Sequence, residues 1–416
     1  MSRWAIPNCW PVHEAVGTEV SGGAAMPLAL IISPVRSWPL DQGNRARVRA
    51  MGAMLKARGY TVHFLLSELE GGPSEEERRA MDRQWDLVRC VPYRYQRHQA
   101  HAEAWGADDW YDPALDAEIR ALSRVWSYDL CLVNYAWYSR AFEALRPDVV
   151  RVIDTHDAFG DRHKRLYDAG TTPVWYFTRP EDEAQCLDRA DVVISIQEEE
   201  QAWFESLTHS EVTTIGHVTP AGFLPPRDRQ GGRLRAGYLA SGNPSNQASI
   251  AALIRHWAQD PWLAAQVELH VAGPICREIR GSYPFLVKRG FVPDVTGFYE
   301  SVDFAVNPNI GGSGLKIKSV ETLSFGRPLF ATESGMLGIC PVDPPFVMAD
   351  VAGMAAQMSA HLQAAPDLDQ ATRWAREIYL AYRHKHVASF DALLAGVQRR
   401  RAQFLAHHGR TGDFRQ

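Results

Sequence analysis

The chain of 416 residues is poor in cysteine, has no surplus of positive charge and contains no long apolar run. Its six cysteines, Cys9, Cys90, Cys131, Cys186, Cys276 and Cys340, lie far apart with no C-x-x-C pair. That spacing speaks against a structural zinc site and a disulfide framework, and it fits a reducing cytosol. A formal net charge of −5 leaves no global basic field, so nucleic acid is not an expected partner. No stretch approaches the roughly 18 consecutive apolar residues that a membrane span requires. Residues 1–25 lack the charged-then-apolar order of a signal peptide and are expected to be a flexible arm or an over-long start before Met26.

Several ligand motifs are missing too. A P-loop needs Gly immediately before its Lys-Ser/Thr pair, whereas Ile317 precedes Lys318-Ser319. The dinucleotide pattern G-x-G-x-x-G is absent from the glycine-rich loop before that pair, as is the acidic residue that should follow it. The DLD at 367–369 meets the D-x-D metal pattern only in letters. It follows a proline and begins a helix, where carboxylates are favoured by the dipole, so no metal is expected.

What is present is concentrated in residues 302–332, VDFAVNPNIGGSGLKIKSVETLSFGRPLFAT. An apolar strand at 304–306 runs into a loop carrying Gly311, Gly312 and Gly314. Ile317, Val320 and Leu323 at three-residue spacing predict a helix, with Gly326 at its stop and Pro328 opening a second strand. A glycine loop that opens a helix turns backbone N–H groups toward an anion, and the helix dipole adds to the attraction. Lys316 and Lys318 bring mobile positive charge to the same turn, with Ser313 and Leu315 beside them. Glu321, one turn further in, accepts hydrogen bonds from a hydroxyl pair. Phosphate at one end and a diol at the other describe a nucleotide-sugar site. The plainer reading is an ordinary strand-to-helix turn with an exposed Lys318–Glu321 pair, worth on the order of a few tenths of a kcal/mol. Three glycines and two lysines converging on one helix start favour the site.

Strands and helices alternate along the rest of the chain. Apolar runs at 28–33, 60–66, 130–134, 149–153 and 191–196 are separated by helical stretches, the first at 44–58 with Val48, Met51 and Leu55 on one face. A break rich in Pro, Gly and charge follows at 219–233, after which 235–240, a helix near 246–257 and 267–272 restart the pattern. Such alternation predicts an α/β fold with parallel sheets covered on both faces. Two Rossmann-like domains facing across a cleft are expected, with C-terminal helices from Thr372 that end in Arg399, Arg400 and Arg401. The expected boundaries are an arm at 1–25, domains at 26–220 and 233–395 around a linker at 221–232, and a basic helix end and tail at 396–416.

At this level the chain resembles the retaining GT-B glycosyltransferases, in particular glycosyltransferase family 4, over roughly residues 27–395. GGSGLKIKSVETLSFGRP looks like the family's donor-site signature of glycine loop, helix, Glu and Gly-x-Pro. GFVPDVTGFYESVDFAVNP, residues 290–308, is similar to the strand–turn–strand approach placed before it. VIDTHDAF at 152–159 resembles the strand end carrying a His-Asp pair, and ADVVISIQEEE at 190–200 the strand and helix start that follow. ISPVRSWPLDQGNRAR resembles the first strand and glycine loop, with Gly43 at the tight turn and Asn44 and Arg45 beside it. Two departures stand out. Ser313 occupies the position eight residues before Glu321 where the family carries its first Glu. The stretch LASGNPSNQAS, 239–249, has no cation where relatives place an Arg and a Lys, so Lys316 and Lys318 are expected to supply that charge.

The resemblance implies a metal-independent transfer from a nucleotide sugar, used as co-substrate with no other cofactor, to a glycan, lipid-linked, protein or small-molecule acceptor with retention. It implies His156 and Glu321 as catalytic residues. Gly312, Ser313, Gly314, Leu315, Lys316, Lys318 and Gly335 are the implied donor and phosphate contacts, with Gly335 placing backbone N–H groups near donor hydroxyls. His156 either donates to the transferred sugar or handles a proton; its alternative is part of a helix N-cap cluster with Asp157. The N-terminal domain is the implied acceptor domain, and Trp85, Tyr93, Tyr95, Trp105, Trp110 and Tyr111 in residues 68–127 either stack on a sugar or pack. The same frame hosts nucleotide-sugar epimerases, and the missing Glu also suits a non-catalytic sugar-nucleotide-binding protein. The basic helices 44–58 and 387–401 raise peripheral contact with an anionic inner membrane face, weighed against ordinary solvated faces.

Overall fold

The computed structural model describes residues 26–40, 42–168, 172–173, 175–229, 231–292, 295–311, 314–365 and 367–408. The expected N-terminal arm, Cys9, Gly312, Ser313 and the end of the tail lie outside the described residues. The chain divides into two compact units, one formed by the described residues up to Ile215 together with those from Val387 on, the other by Gly216–His386.

The first unit is built on seven strands: β1 (Leu28–Ser33), β2 (Thr61–Ser67), β3 (Leu87–Val91), β4 (Leu130–Asn134), β5 (Val150–Asp154), β6 (Val192–Ser195) and β7 (Glu211–Thr214). They form one sheet in the order β3-β2-β1-β4-β5-β6-β7, every pair parallel. β1, LALIIS, is buried at every position, as a central parallel strand covered on both faces must be. Its helices are α1 (Gly43–Lys56), α2 (Glu75–Gln84), α3 (Ala114–Val125), α4 (Arg162–Asp168), α5 (Pro180–Leu187) and α6 (Glu198–Leu207). Gly52 in α1 is required by close approach: a Cβ there would lie 2.1 Å from the Trp85 ring.

The second unit carries β8 (Leu234–Leu239), β9 (Val267–Ala272), β10 (Leu286–Gly290), β11 (Phe304–Asn307), β12 (Leu329–Thr332) and β13 (Val347–Met348). Their order is β10-β9-β8-β11-β12-β13, again all parallel. Helices α7 (Pro244–Gln259), α8 (Pro261–Gln266), α9 (Val295–Glu300), α10 (Ile317–Ser324) and α11 (Val351–Ala364) belong to this unit. A last helix, α12 (Asp369–His408), runs from it into residues of the first. In both sheets the strand order reverses beside the first strand, between β1 and β4 and between β8 and β11, the position where doubly wound sheets take ligands at their carboxyl edge.

One sequence reading changes. The 290–308 segment is not strand–turn–strand: α9 lies between β10 and β11, because Phe298 and Tyr299 are buried a helical turn beyond Val295. Residues 68–127 hold regular structure, since Ser74 and Glu77 form a reciprocal capping box that starts α2, and β3 and α3 follow. Of the aromatics there, Trp85, Trp110 and Tyr111 are buried; Trp85 stacks on Phe64, and Trp110 packs edge-on against Trp105, Trp137, Trp175 and Tyr176. These pack rather than wait for a sugar.

Several basic side chains of the two basic helices are buried or paired, while others, such as Lys56 and Arg399, are exposed. Arg45 and Arg47 are buried, Arg58 pairs with Asp391, Arg400 with Glu211 and Arg401 with Asp129, all within the first unit. In the DLD, Asp367 Oδ1 accepts the Asp369 N–H at 3.2 Å at the start of α12, a capping contact. Among the described residues no helix is long and apolar enough to cross a membrane.

Candidate functional site

The carboxyl edge of the second sheet holds most of the expected donor residues. β11 ends at Asn307, and the described part of the loop resumes at Gly314, whose φ of 81° suits glycine. Leu315 is buried, Lys316 is the N-cap residue of α10, and its Nζ donates to the Gly314 carbonyl at 2.8 Å. Lys318 Nζ lies 3.2 and 3.3 Å from the two Glu321 carboxylate oxygens. The buried Tyr299 phenol lies against Glu321. Burial pushes its pKa well above the ordinary phenol range, and the Glu321 charge adds to the rise. The helix ends where the sequence predicts, with Gly326 at φ 65° just past its last turn.

Gly335 differs from its expected role. Its N–H donates to Thr332 Oγ1 at 3.1 Å, so that amide is occupied. Its carbonyl accepts from Ser319 Oγ at 2.6 Å and from Asn307 Nδ2 at 3.2 Å, and a Cβ there would meet the Asn307 carbonyl oxygen at 2.6 Å. Gly335 is a brace between β11 and the first turn of α10.

The cation-poor stretch after β8 is a helix start lined by hydroxyls and amides. Asn243 caps α7 by accepting the Asn246 N–H at 2.8 Å. Ser245 Oγ donates to the Gly311 carbonyl at 3.2 Å, and Ser249 Oγ accepts the Ile310 N–H at 3.1 Å. These bonds fix the loop after β11 to the first turns of α7. Two helix N-termini, α7 and α10, therefore open on the edge where the strand order reverses.

The first unit places Gly43, Asn44, Arg45 and His156 at the carboxyl edge of its own sheet. Gly43 opens α1, and Asn44 Nδ2 donates to the Tyr135 hydroxyl at 3.1 Å. Arg45 pairs with Glu70 at 2.9 Å. Tyr135 and His156, just beyond β4 and β5, adopt φ 73° and 63°, strained backbone for residues with a Cβ. Their rings stack at 4.3 Å. Asn134 Nδ2 donates to the Ile32 carbonyl, which turns its Oδ1 to His156 Nε2 at 2.8 Å. The neutral ring therefore carries its proton on Nε2 and spends it on Asn134, leaving Nδ1 as an acceptor rather than a donor to sugar. Burial lowers the His156 pKa to about 4, the Arg47 cation adding to the effect and Asp154 opposing it.

Sequence reasoning missed the salt bridge beneath this ring. Arg47 and Asp154, both essentially without exposure, meet at 2.7 to 2.9 Å, and Arg47 Nη2 also donates to the Ile215 carbonyl. It also missed two buried carboxyls. Glu183 accepts the Phe159 and Gly160 N–H groups and the Trp203 indole. Glu200 is buried; burial, with the neighbouring Asp157 charge, pushes its pKa up, and the Ile196 backbone opposes the rise. The strand-end position of His156 and the run of three glutamates at 198–200 were the only signals available. Asp157 pairs with Arg162 at 3.0 Å and accepts the Ala158 N–H, a local structural role.

No protein-family model and no curated protein sequence match the chain. Solved structures do. Sucrose-phosphate synthase from Thermosynechococcus elongatus is 17% identical, with 92% of this chain and 100% of that one covered and a TM-score of 0.59. HepE from Anabaena, in complex with UDP and glucose, is 15% identical over 90% and 99%, with a TM-score of 0.61. A TarM variant from S. aureus, bound to UDP, fondaparinux and alpha-GlcNAc-glycerol, is 10% identical over 87% and 98%, with a TM-score of 0.62. The chain has the two-sheet α/β fold of these GT-B proteins.

Proposed function

We propose that this chain is a glycosyltransferase that moves a sugar from a nucleotide sugar to an acceptor hydroxyl. The observation that carries the reading is the pair of helix N-termini, α7 and α10, at the switch point of the second sheet, with Lys316, Lys318 and Glu321 at the start of α10. Backbone N–H groups and two lysines there meet the charge that develops on a departing nucleoside diphosphate. The bond from the anomeric carbon to the phosphate oxygen breaks, the acceptor oxygen forms the new one, and the acceptor proton leaves with the diphosphate or solvent. Glu321 accepts from sugar or ribose hydroxyls, a role that requires it to give up its contact with Lys318. Neutral His156 accepts a hydrogen bond at Nδ1 and orients a hydroxyl. HepE and TarM, seen with UDP, support a uridine nucleotide as the first donor to try. Retention follows from the resemblance, and the acceptor side is assigned to the first unit.

A thermal-shift screen of UDP, GDP and ADP with their hexose conjugates tests the reading, since a ligand that binds the folded state raises its apparent stability. We expect one diphosphate to stabilise the protein and Glu321→Ala to lower nucleotide-sugar affinity by about tenfold or more while the chain still folds. No stabilisation by any of them contradicts the reading. An epimerised nucleotide sugar formed without acceptor selects an isomerase, and binding without turnover a carrier. With Arg45 and Arg47 of α1 and Arg400 and Arg401 of α12 paired, we favour a soluble acceptor; retention on anionic liposomes at physiological salt overturns that preference.

A further inference from the structure

The donor site as assembled above has one carboxylate, Glu321, at the sugar end, because Ser313 stands eight residues before it. Sugars carry several hydroxyls, and sites that hold them need fixed acceptors within hydrogen-bond reach. A second carboxylate stands at the same sheet edge. Glu333 is the first residue past β12, the strand paired with β11 through Asn307 and Ala331. It is exposed and makes no hydrogen bond or ion pair through its carboxylate among the described residues.

The turn that carries it is fixed from both sides. Thr332 Oγ1 donates to the Asn309 carbonyl at 2.5 Å and accepts the Gly335 N–H. Asn309 Nδ2 donates to Ser334 Oγ at 3.1 Å and to the Gly311 carbonyl at 2.9 Å. Ser319 on α10 holds the Gly335 carbonyl, and the Glu333 carbonyl accepts the Met336 N–H at 3.0 Å. The residues on either side of Glu333 are thus tied to Asn309 and to the first turn of α10, which holds the turn that carries it. Such bracing is how a binding group is kept in place before its ligand arrives.

We propose that Glu333 is a further donor-site residue, a carboxylate that accepts hydrogen bonds from hydroxyls of the transferred sugar. This rests on the glycosyltransferase reading above. Its role is specific to the sugar: the diphosphate is held by α7, α10 and the lysines, and Glu333 adds affinity only when a hexose is attached. Its negative charge also disfavours an anionic sugar, such as a uronic acid, at that end.

The test separates the two ideas by ligand. UDP and UDP-glucose, with the GDP and ADP counterparts, are titrated by calorimetry against wild type, Glu333→Gln and Glu333→Ala. Exposure of the side chain means both variants should fold, checked by unchanged melting temperature. We expect diphosphate affinity within about twofold of wild type, and nucleotide-sugar affinity reduced about tenfold in Glu333→Ala and less in Glu333→Gln. An alanine variant that binds the nucleotide sugar as wild type does overturns the proposal, as does equal loss for diphosphate and sugar conjugate. If wild type binds none of the diphosphates, the donor site itself fails and this inference falls with it.

Discussion

The carboxyl edge of the first sheet is closed by charge, whereas that of the second is left to hydroxyls, amides and helix ends. Both sheets share one strand order, so topology does not account for the difference. In the first unit a buried Arg47–Asp154 pair, a neutral His156 stacked on Tyr135 and the buried Glu200 sit beneath the strand ends. In the second, the start of α10 carries the Lys318–Glu321 pair, partly open to solvent. A buried pair costs desolvation and holds one geometry; a partly exposed pair separates cheaply when an anion arrives. One edge is rigid before any ligand binds. The other keeps its charge mobile.

The largest expected effect comes from breaking the rigid edge. Arg47→Met leaves Asp154 buried without its counter-ion and should cost about 3–5 kcal/mol in urea unfolding. Lys318→Met, which breaks the corresponding pair of the second unit, should cost less than about 0.5 kcal/mol. Similar costs for the two would remove the contrast.

Next is the pH dependence written into His156. Its folded pKa near 4 lies below the unfolded value of about 6.5, so between them the unfolded chain binds more protons. Stability is therefore full above about pH 6.5 and falls as pH drops toward 4, by on the order of 3 kcal/mol from this group. In His156→Gln the dependence over that window should flatten, read from urea midpoints at several pH values. An unchanged slope would show that the ring is not held neutral.

A smaller effect sharpens the mobile edge. Lys316→Ala with Lys318→Ala should weaken nucleoside diphosphate binding by about ten- to a hundredfold, as expected for charge-assisted contacts. Wild-type affinity in the double variant would mean that the α7 and α10 amides suffice. Smallest of all is chelation: transfer should be unchanged by EDTA, since the lysines and helix ends supply the positive charge. Activity lost to EDTA and restored only by a divalent ion would refute that assignment.

Much of this was written locally in the chain. Continuous apolar runs fixed β1, β4 and β9, and the Ile317, Val320, Leu323 spacing with Gly326 set α10 to its last turn. The Ser74–Glu77 box that starts α2 is legible too, as a Ser followed three residues later by a Glu. In segment 290–308 the family resemblance implies strand–turn–strand, whereas Phe298 and Tyr299 a turn beyond Val295 mark a helix.

What no local pattern carried is anything that joins distant positions. Arg47 and Asp154 are 107 residues apart, and each reads alone as a surface charge on a helix or at a strand end. That His156 holds its proton on Nε2 depends on Asn134, whose amide is oriented by the Ile32 carbonyl. The packing of β11 against β12 brings the Gly335 carbonyl to Ser319 and Asn307 and gives that glycine a structural task. The sequence by itself determined the alternation of strands and helices and the phosphate-type loop, because periodicity, caps and glycines act over a few residues. The tertiary structure decided which charges are paired, which carboxyls are buried and which side chains remain for a ligand, because burial and partner geometry exist only once the sheets have formed.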